Sequence, residues 1–190
     1  MIANNVSKVH ERAVQAVLST MDPDLVNKAV DLIRSCRTLY LYAHGDSGIT
    51  ARAFINRLMK LNKVAVMASE YYEEPTYASL ISPDCLALFI SYRGGSDSQQ
   101  LSARILKQRN IPFIVIASDM RETFLTQNAS VRLIIPSYET QSDNIATYYS
   151  QECFSFYLNL LYGVLYSRSY LENKSMKSRI DKLTAQEFGD

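Results

Sequence analysis

Apolar residues recur along this chain at two different spacings, and the alternation between them predicts its architecture. From about Val6 to Ser19, the positions Val9, Ala13, Val14, Ala16, Val17 and Leu18 return with near-helical spacing. Leu25, Val26, Ala29, Val30, Leu32 and Ile33 form a second stripe, for which Asp22 and Pro23 supply an N-cap and a first helical position. Continuous apolar runs follow at Leu39 to Ala43, Val64 to Met67, Cys85 to Ile90, Phe113 to Ala117 and Val131 to Ile135. Between them helical spacing returns at Ile49 to Leu61, around Tyr77 to Ile81, at Gln99 to Gln108 and briefly at Glu122 to Thr126. An aromatic stretch from Asn144 to Ser169 predicts one long final helix.

Apolar strands without polar alternation, separated by helices, belong to a parallel sheet covered on both faces. The expected fold is α/β, a three-layer sandwich whose five-stranded parallel sheet runs in the order 2-1-3-4-5. Residues 1–36 would then be N-terminal packing helices, 37–170 the sheet-bearing domain and 171–190 a charged C-terminal tail.

In that order the first and third strands are neighbours and the chain reverses direction between them, which is where such sheets bind ligands. Both strands run into Ser/Gly turns, Ala43-His44-Gly45-Asp46-Ser47-Gly48 and Ser91-Tyr92-Arg93-Gly94-Gly95-Ser96. A strand that turns through glycine and serine into a helix offers unpaired N–H groups and hydroxyls, a site for an anion. Ser47, Ser91 and Ser96 are therefore candidate contacts for a phosphorylated small molecule, although serine is also favoured in turns for local reasons. Arg93 either clamps the phosphate or pairs with Asp46 or Asp97 and fills the pocket. Asp46 and Asp97 read as helix caps, His44 as a candidate contact to a ligand oxygen, His10 as solvated, and Glu70, Glu73 and Glu74 as a solvated acidic loop.

Net charge is +1, from 20 Lys and Arg against 19 Asp and Glu, which leaves no electrostatic footprint for nucleic acid. Cys36, Cys85 and Cys153 are far apart and lack metal-ligand spacing, so they read as small core residues of a reducing cytoplasm, and neither metal nor cofactor is expected. The longest apolar runs fall far short of the roughly twenty residues that span a bilayer, so no membrane partner is expected. Tyr148, Tyr149, Phe154, Phe156, Tyr157, Tyr162 and Tyr166 make the final helix apolar on more than one face, which predicts homodimerisation through Asn144 to Ser169.

These residues resemble the SIS (sugar isomerase) fold family. Leu39 to Gly48, followed by Ala51 and Phe54, is similar to that family's first loop, and Ile90 to Ser96 to its second. Asn110 to Ser118 also fits, and the two leading helices with the late aromatic helix resemble the effector domain of RpiR-type bacterial transcription regulators. The resemblance spans roughly Val9 to Ser169 and implies a sugar-phosphate sensor of carbohydrate metabolism rather than an enzyme. It places ligand contacts at Ser47, Ser91, Arg93 and Ser96, with Gly45 and Gly94 shaping the loops. Ala43, Arg93 and Gly95 stand where the family usually has glycine, serine and glutamate. DNA would be reached only through a helix-turn-helix domain, and nothing in this chain reads as one. The alternative is a stand-alone aldose–ketose phosphate isomerase. Glu139 lies where family isomerases bring an acid toward the sugar, but no histidine follows His44.

Overall fold

The computed structural model describes residues 2–68, 73–138 and 147–188. Leu39–Tyr42 (β1), Ala65–Met67 (β2), Leu86–Ile90 (β3), Phe113–Ser118 (β4) and Val131–Ile135 (β5) pair side by side in one sheet. All pairings are parallel and the order is β2-β1-β3-β4-β5, as the apolar runs predict. Every residue of β3 and β4 is buried, which is why those runs carry no polar alternation.

Alternation of side chains along each strand divides the core in two. Leu39 and Leu41, Leu86 and Leu88, and Ile114 and Ile116 point to one face. There they meet helices Ile2–Thr20 (α1), Pro23–Ser35 (α2), Gly45–Met59 (α3) and Tyr148–Arg168 (α7). Tyr42, Ala87, Phe89, Phe113 and Val115 point to the other face, covered by Glu74–Leu80 (α4), Asp97–Gln108 (α5) and Phe124–Gln127 (α6). The Tyr42 and Phe89 rings stack at 4.4 Å between centroids, locking β1 to β3 next to the point where the strand order reverses.

Local chemistry accounts for several boundaries. The Asp22 carboxylate accepts from the Asp24 N–H at 2.8 Å with Pro23 at the first helical position, so α2 starts as predicted. Asn110, at φ +55°, takes the left-handed conformation that ends the α5 segment. Helix α7 matches the expected aromatic helix from Tyr148 onward, residues 144–146 lying outside the described residues. It is buried through Tyr149, Cys153, Phe154, Tyr157, Leu158, Leu161 and Leu165. His10, expected to be solvated, instead sets Nδ1 2.9 Å from the Glu152 carboxylate and joins α1 to α7. The segment read as a tail forms helix α8, Tyr170–Phe188, of which only Asn173 is buried among residues 170–183. Its apolar residues are mostly exposed, Ile180 and Leu183 among them, so only a weak spacing of Met176, Ile180 and Leu183 marks it in the sequence.

Tyr157 donates a hydrogen bond to the Ile134 carbonyl at 2.9 Å, and burial pushes its pKa from 10.0 up to about 12. The folded state thus keeps a proton that the unfolded chain releases, and the stabilisation is fully present below about pH 10 and lost as pH rises through about 12. Denaturation measured between pH 9 and pH 12 is expected to show falling stability with a shallower slope in Tyr157→Phe. An identical slope in both proteins would contradict the assignment.

Candidate ligand-binding site

The turn between β3 and α5 is held in one shape by its own glycines and by side chains of the next loop. Gly94 and Gly95 have φ of +79° and +98°, conformations that side-chain-bearing residues rarely adopt. A Cβ on Gly94 would lie 3.1 Å from Thr123 Cγ2, and one on Gly95 only 2.7 Å from Leu125 Cδ2. A side chain at Gly95 would have to displace Leu125 while holding a backbone conformation that L-residues rarely adopt. The Gly94 carbonyl accepts from Gln100 Nε2 at 2.6 Å and from the Thr123 hydroxyl at 2.9 Å, while the Ser91 hydroxyl accepts from the Gly95 N–H at 3.0 Å. The Ser118 N–H donates to the Tyr92 carbonyl at 3.1 Å, so the loops after β3 and β4 are joined on both sides of Arg93.

Ser96 caps α5. Its hydroxyl accepts from the Gln99 N–H at 3.3 Å, and the Gln99 Oε1 accepts from the Ser96 N–H at 3.2 Å, a reciprocal capping box. Gln99 is only 1% exposed, and its Nε2 has no hydrogen-bond partner among the described residues. A buried amide donor without an acceptor is costly, and a ligand oxygen would satisfy it.

The turn between β1 and α3 faces this one. His44 is the N-cap residue of α3 by backbone, without a side-chain capping bond, and Gly45 follows at φ +53°. Asp46 and Ser47 occupy the first turn, where the Asp46 carboxylate accepts from the Thr147 hydroxyl at 2.7 Å. Thr50 and Gln151 form a second bond between α3 and α7. His44 Nε2 lies 2.9 Å from Glu74 Oε1. Glu74, the first residue of α4, is 0% exposed, contrary to the expected solvated loop. The sequence could not show this, because its neighbours Tyr42 and His44 come from a distant part of the chain.

Between the two turns lies a cavity of about 550 Å³, at the carboxyl ends of β1 and β3. His44, Ser47, Ser91, Arg93 and Ser96 line it, so five of the predicted positions converge on one crevice. Gly45 and Gly94 shape the turns without lining the cavity, and Glu139 lies outside the described residues. Arg93 is exposed and makes no ion pair with Asp46, Asp97 or any other acid among the described residues, which leaves its guanidinium available at the cavity. Asp46 and Asp97 sit in first helical turns rather than at caps, the N-caps being His44 and Ser96. Gln99, Arg121, Thr147 and Gln151 also line the cavity. Of these, only Gln99 had a readable signal, the Ser96-x-x-Gln99 spacing of a capping box. Two arginines and two helix N-termini make the crevice suited to an anion.

Residues 32–161 match the family model of the SIS domain. The chain belongs to the SIS domain family. An uncharacterized HTH-type transcriptional regulator of Haemophilus influenzae is 22% identical to this SIS domain over 166 residues, covering 86% of this chain and 56% of that protein. The chain thus spans about half the length of that curated relative. The Vibrio vulnificus NanR protein, solved in complex with ManNAc-6P, superposes with a TM-score of 0.86 at 18% identity, over 100% of this chain and 71% of that one. The sugar isomerase domain of an RpiR transcription factor from Sphaerobacter thermophilus gives a TM-score of 0.80 at 13% identity, over 95% and 98% of the two chains. Sugar-phosphate isomerases share the fold as well.

Gly95 is the position where this SIS domain's loop tolerates least change. Gly95→Ala is expected to lower stability by about 1–3 kcal/mol, through its positive φ and the contact with Leu125. Gly163→Ala, in α7 with no atom within 4 Å of the added Cβ, is expected to be neutral or stabilising. Urea denaturation of both variants checks this, and equal midpoints would contradict the account of the turn.

Proposed function

We propose that this chain is the sugar-phosphate-sensing domain of an RpiR-type regulator of carbohydrate metabolism. The observation that carries the proposal is the crevice itself. The capped N-terminus of α5, Ser91, Ser96, Arg93 and the unpartnered Gln99 amide converge on it beside the turn that holds Ser47. The phosphate sits at the α5 N-terminus, with hydroxyls and the guanidinium completing its shell. The sugar extends toward His44, Thr147 and Gln151 on the facing wall. The NanR complex with ManNAc-6P supports a phosphorylated sugar as the ligand class.

The sensor reading assigns DNA recognition to a helix-turn-helix segment outside the region described here, in a cytoplasmic protein. No helix among the described residues is long and apolar enough to cross a membrane. A homodimer is the natural transmitter, since ligand binding reports to DNA only by shifting an arrangement of rigid parts. The outward side of α7, a groove of about 370 Å³ formed by Phe156, Leu160 and Val164 beside Asn159, Gly163 and Ser167, supports pairing there. Sedimentation that gives a monomer at all loading concentrations would remove the dimer from the proposal.

The second reading, an aldose–ketose phosphate isomerase, draws on the His44–Glu74 contact at the crevice, since an acid–base group there could move a proton on a sugar. Calorimetry against hexose and amino-sugar phosphates is expected to show binding of at least one, weakened about tenfold or more by Arg93→Gln. Coupled assays on the same ligands are expected to show no turnover. Absence of binding to the whole panel by folded protein would contradict the sensor, and turnover would replace it with the isomerase.

A further inference from the structure

Glu74 is the most anomalous side chain in the molecule. An acid at the start of a helix ordinarily points to solvent, where the helix dipole and water both favour it. Here it is fully buried beneath the β1–α3 turn. His44 Nε2 lies at ion-pair distance from Oε1, 2.9 Å, and neither carboxylate oxygen has a hydrogen-bond partner among the described residues. The Tyr42 hydroxyl is buried too and likewise has no hydrogen-bond partner among the described residues. Burial and then the Glu74 charge push the Tyr42 pKa well above the usual tyrosine value. Burying a carboxylate with so few donors is unfavourable, and packing alone gives no reason for it, since an apolar residue of the same length would fill the space.

The arrangement runs from core to ligand. Glu74 lies behind His44, and His44 is 35% exposed and lines the cavity. A carboxylate facing one ring nitrogen keeps the proton on that nitrogen and fixes the plane of the ring. Here that nitrogen is Nε2. The α5 N-terminus and Arg93 take the phosphate on the other side of the crevice, which leaves His44 facing the rest of the ligand.

We infer that Glu74 is a positioning residue whose buried carboxylate holds the His44 imidazole against a sugar oxygen of the bound phosphosugar, so that this pair reads the sugar rather than the phosphate. The inference rests on the sugar-phosphate reading above. His44 then discriminates among sugars by the hydroxyl that can donate to its other ring nitrogen, and Glu74 acts only through His44.

A double-mutant cycle on the full 190-residue chain tests this. Glu74→Met keeps the side-chain length and removes the buried charge, so the variant is expected to melt at or above the wild-type temperature. His44→Asn keeps a good N-cap residue for α3. Dissociation constants are measured for the tightest hexose or amino-sugar phosphate of the panel and for inorganic phosphate, which has no sugar. The ratio of phosphosugar to phosphate affinity is expected to fall about tenfold in each single variant, and no further in the double variant than in His44→Asn. Side-chain NMR of the chain's two histidines, with His10 as reference, is expected to show a His44 Nε2–H slowed in exchange by the facing carboxylate in wild type and faster exchange in Glu74→Met. Wild-type affinity in Glu74→Met, additive losses in the double variant, or unchanged exchange of the His44 Nε2–H would each overturn the inference while leaving the sugar-phosphate reading in place. Failure of wild type to bind any phosphosugar would overturn both.

Discussion

The reversal of strand order between β1 and β3 is the constraint on which the molecule's chemistry depends. All strands are parallel, so every loop that follows a strand emerges at the same end of the sheet. From β1 the chain crosses to β2 on one side and then returns past β1 to β3, β4 and β5 on the other. The turns that leave β1 and β3 therefore diverge, α3 to one face and α5 to the other, and open a crevice between them. The Tyr42–Phe89 stack directly beneath this opening keeps the two strands, and hence the two turns, at fixed separation.

Polar side chains around the crevice add to that rigidity. Gln100 and Thr123 close on the Gly94 carbonyl, Ser118 on that of Tyr92, and Thr147 on the Asp46 carboxylate. These bonds satisfy groups that a ligand would otherwise have to compete for, and they preset the orientation of those left over. Among the described residues, most buried side-chain atoms left without a hydrogen-bond partner lie at or beside the site, namely the Gln99 amide and Ser98 hydroxyl on the phosphate side and the Glu74 carboxylate and Tyr42 hydroxyl behind the sugar side, with Arg132 Nε on β5 the exception. Sites that bind by prearrangement carry such residual demands, whereas the rest of a protein interior does not.

The strand runs, their order and the two Ser/Gly turns were legible in the sequence because each is a local pattern. Continuous apolar runs identify doubly covered strands, and Ser91 to Ser96 carries the glycines and cap that its backbone requires. Other features depend on residues far apart in the chain. Glu74 sits among acidic and aromatic neighbours that read as a solvated loop, yet it is buried beside Tyr42 and His44, which come from a distant part of the chain. Arg121 reaches the crevice because β4 pairs with β3, and Thr147 and Gln151 because α7 returns across α3. Arg93 was ambiguous for a different reason, since a flexible guanidinium beside two acids can pair with either or with neither, and composition does not decide among the rotamers.

The most direct test of the central claim is a backbone-amide NMR titration with a phosphosugar that binds. The largest shifts are expected at the Asp97, Ser98 and Gln99 amides and the Gln99 side-chain NH₂, with smaller ones at His44 to Ser47. Shifts centred elsewhere, or a ligand that leaves the α5 N-terminus undisturbed, would contradict a phosphate bound at this crevice.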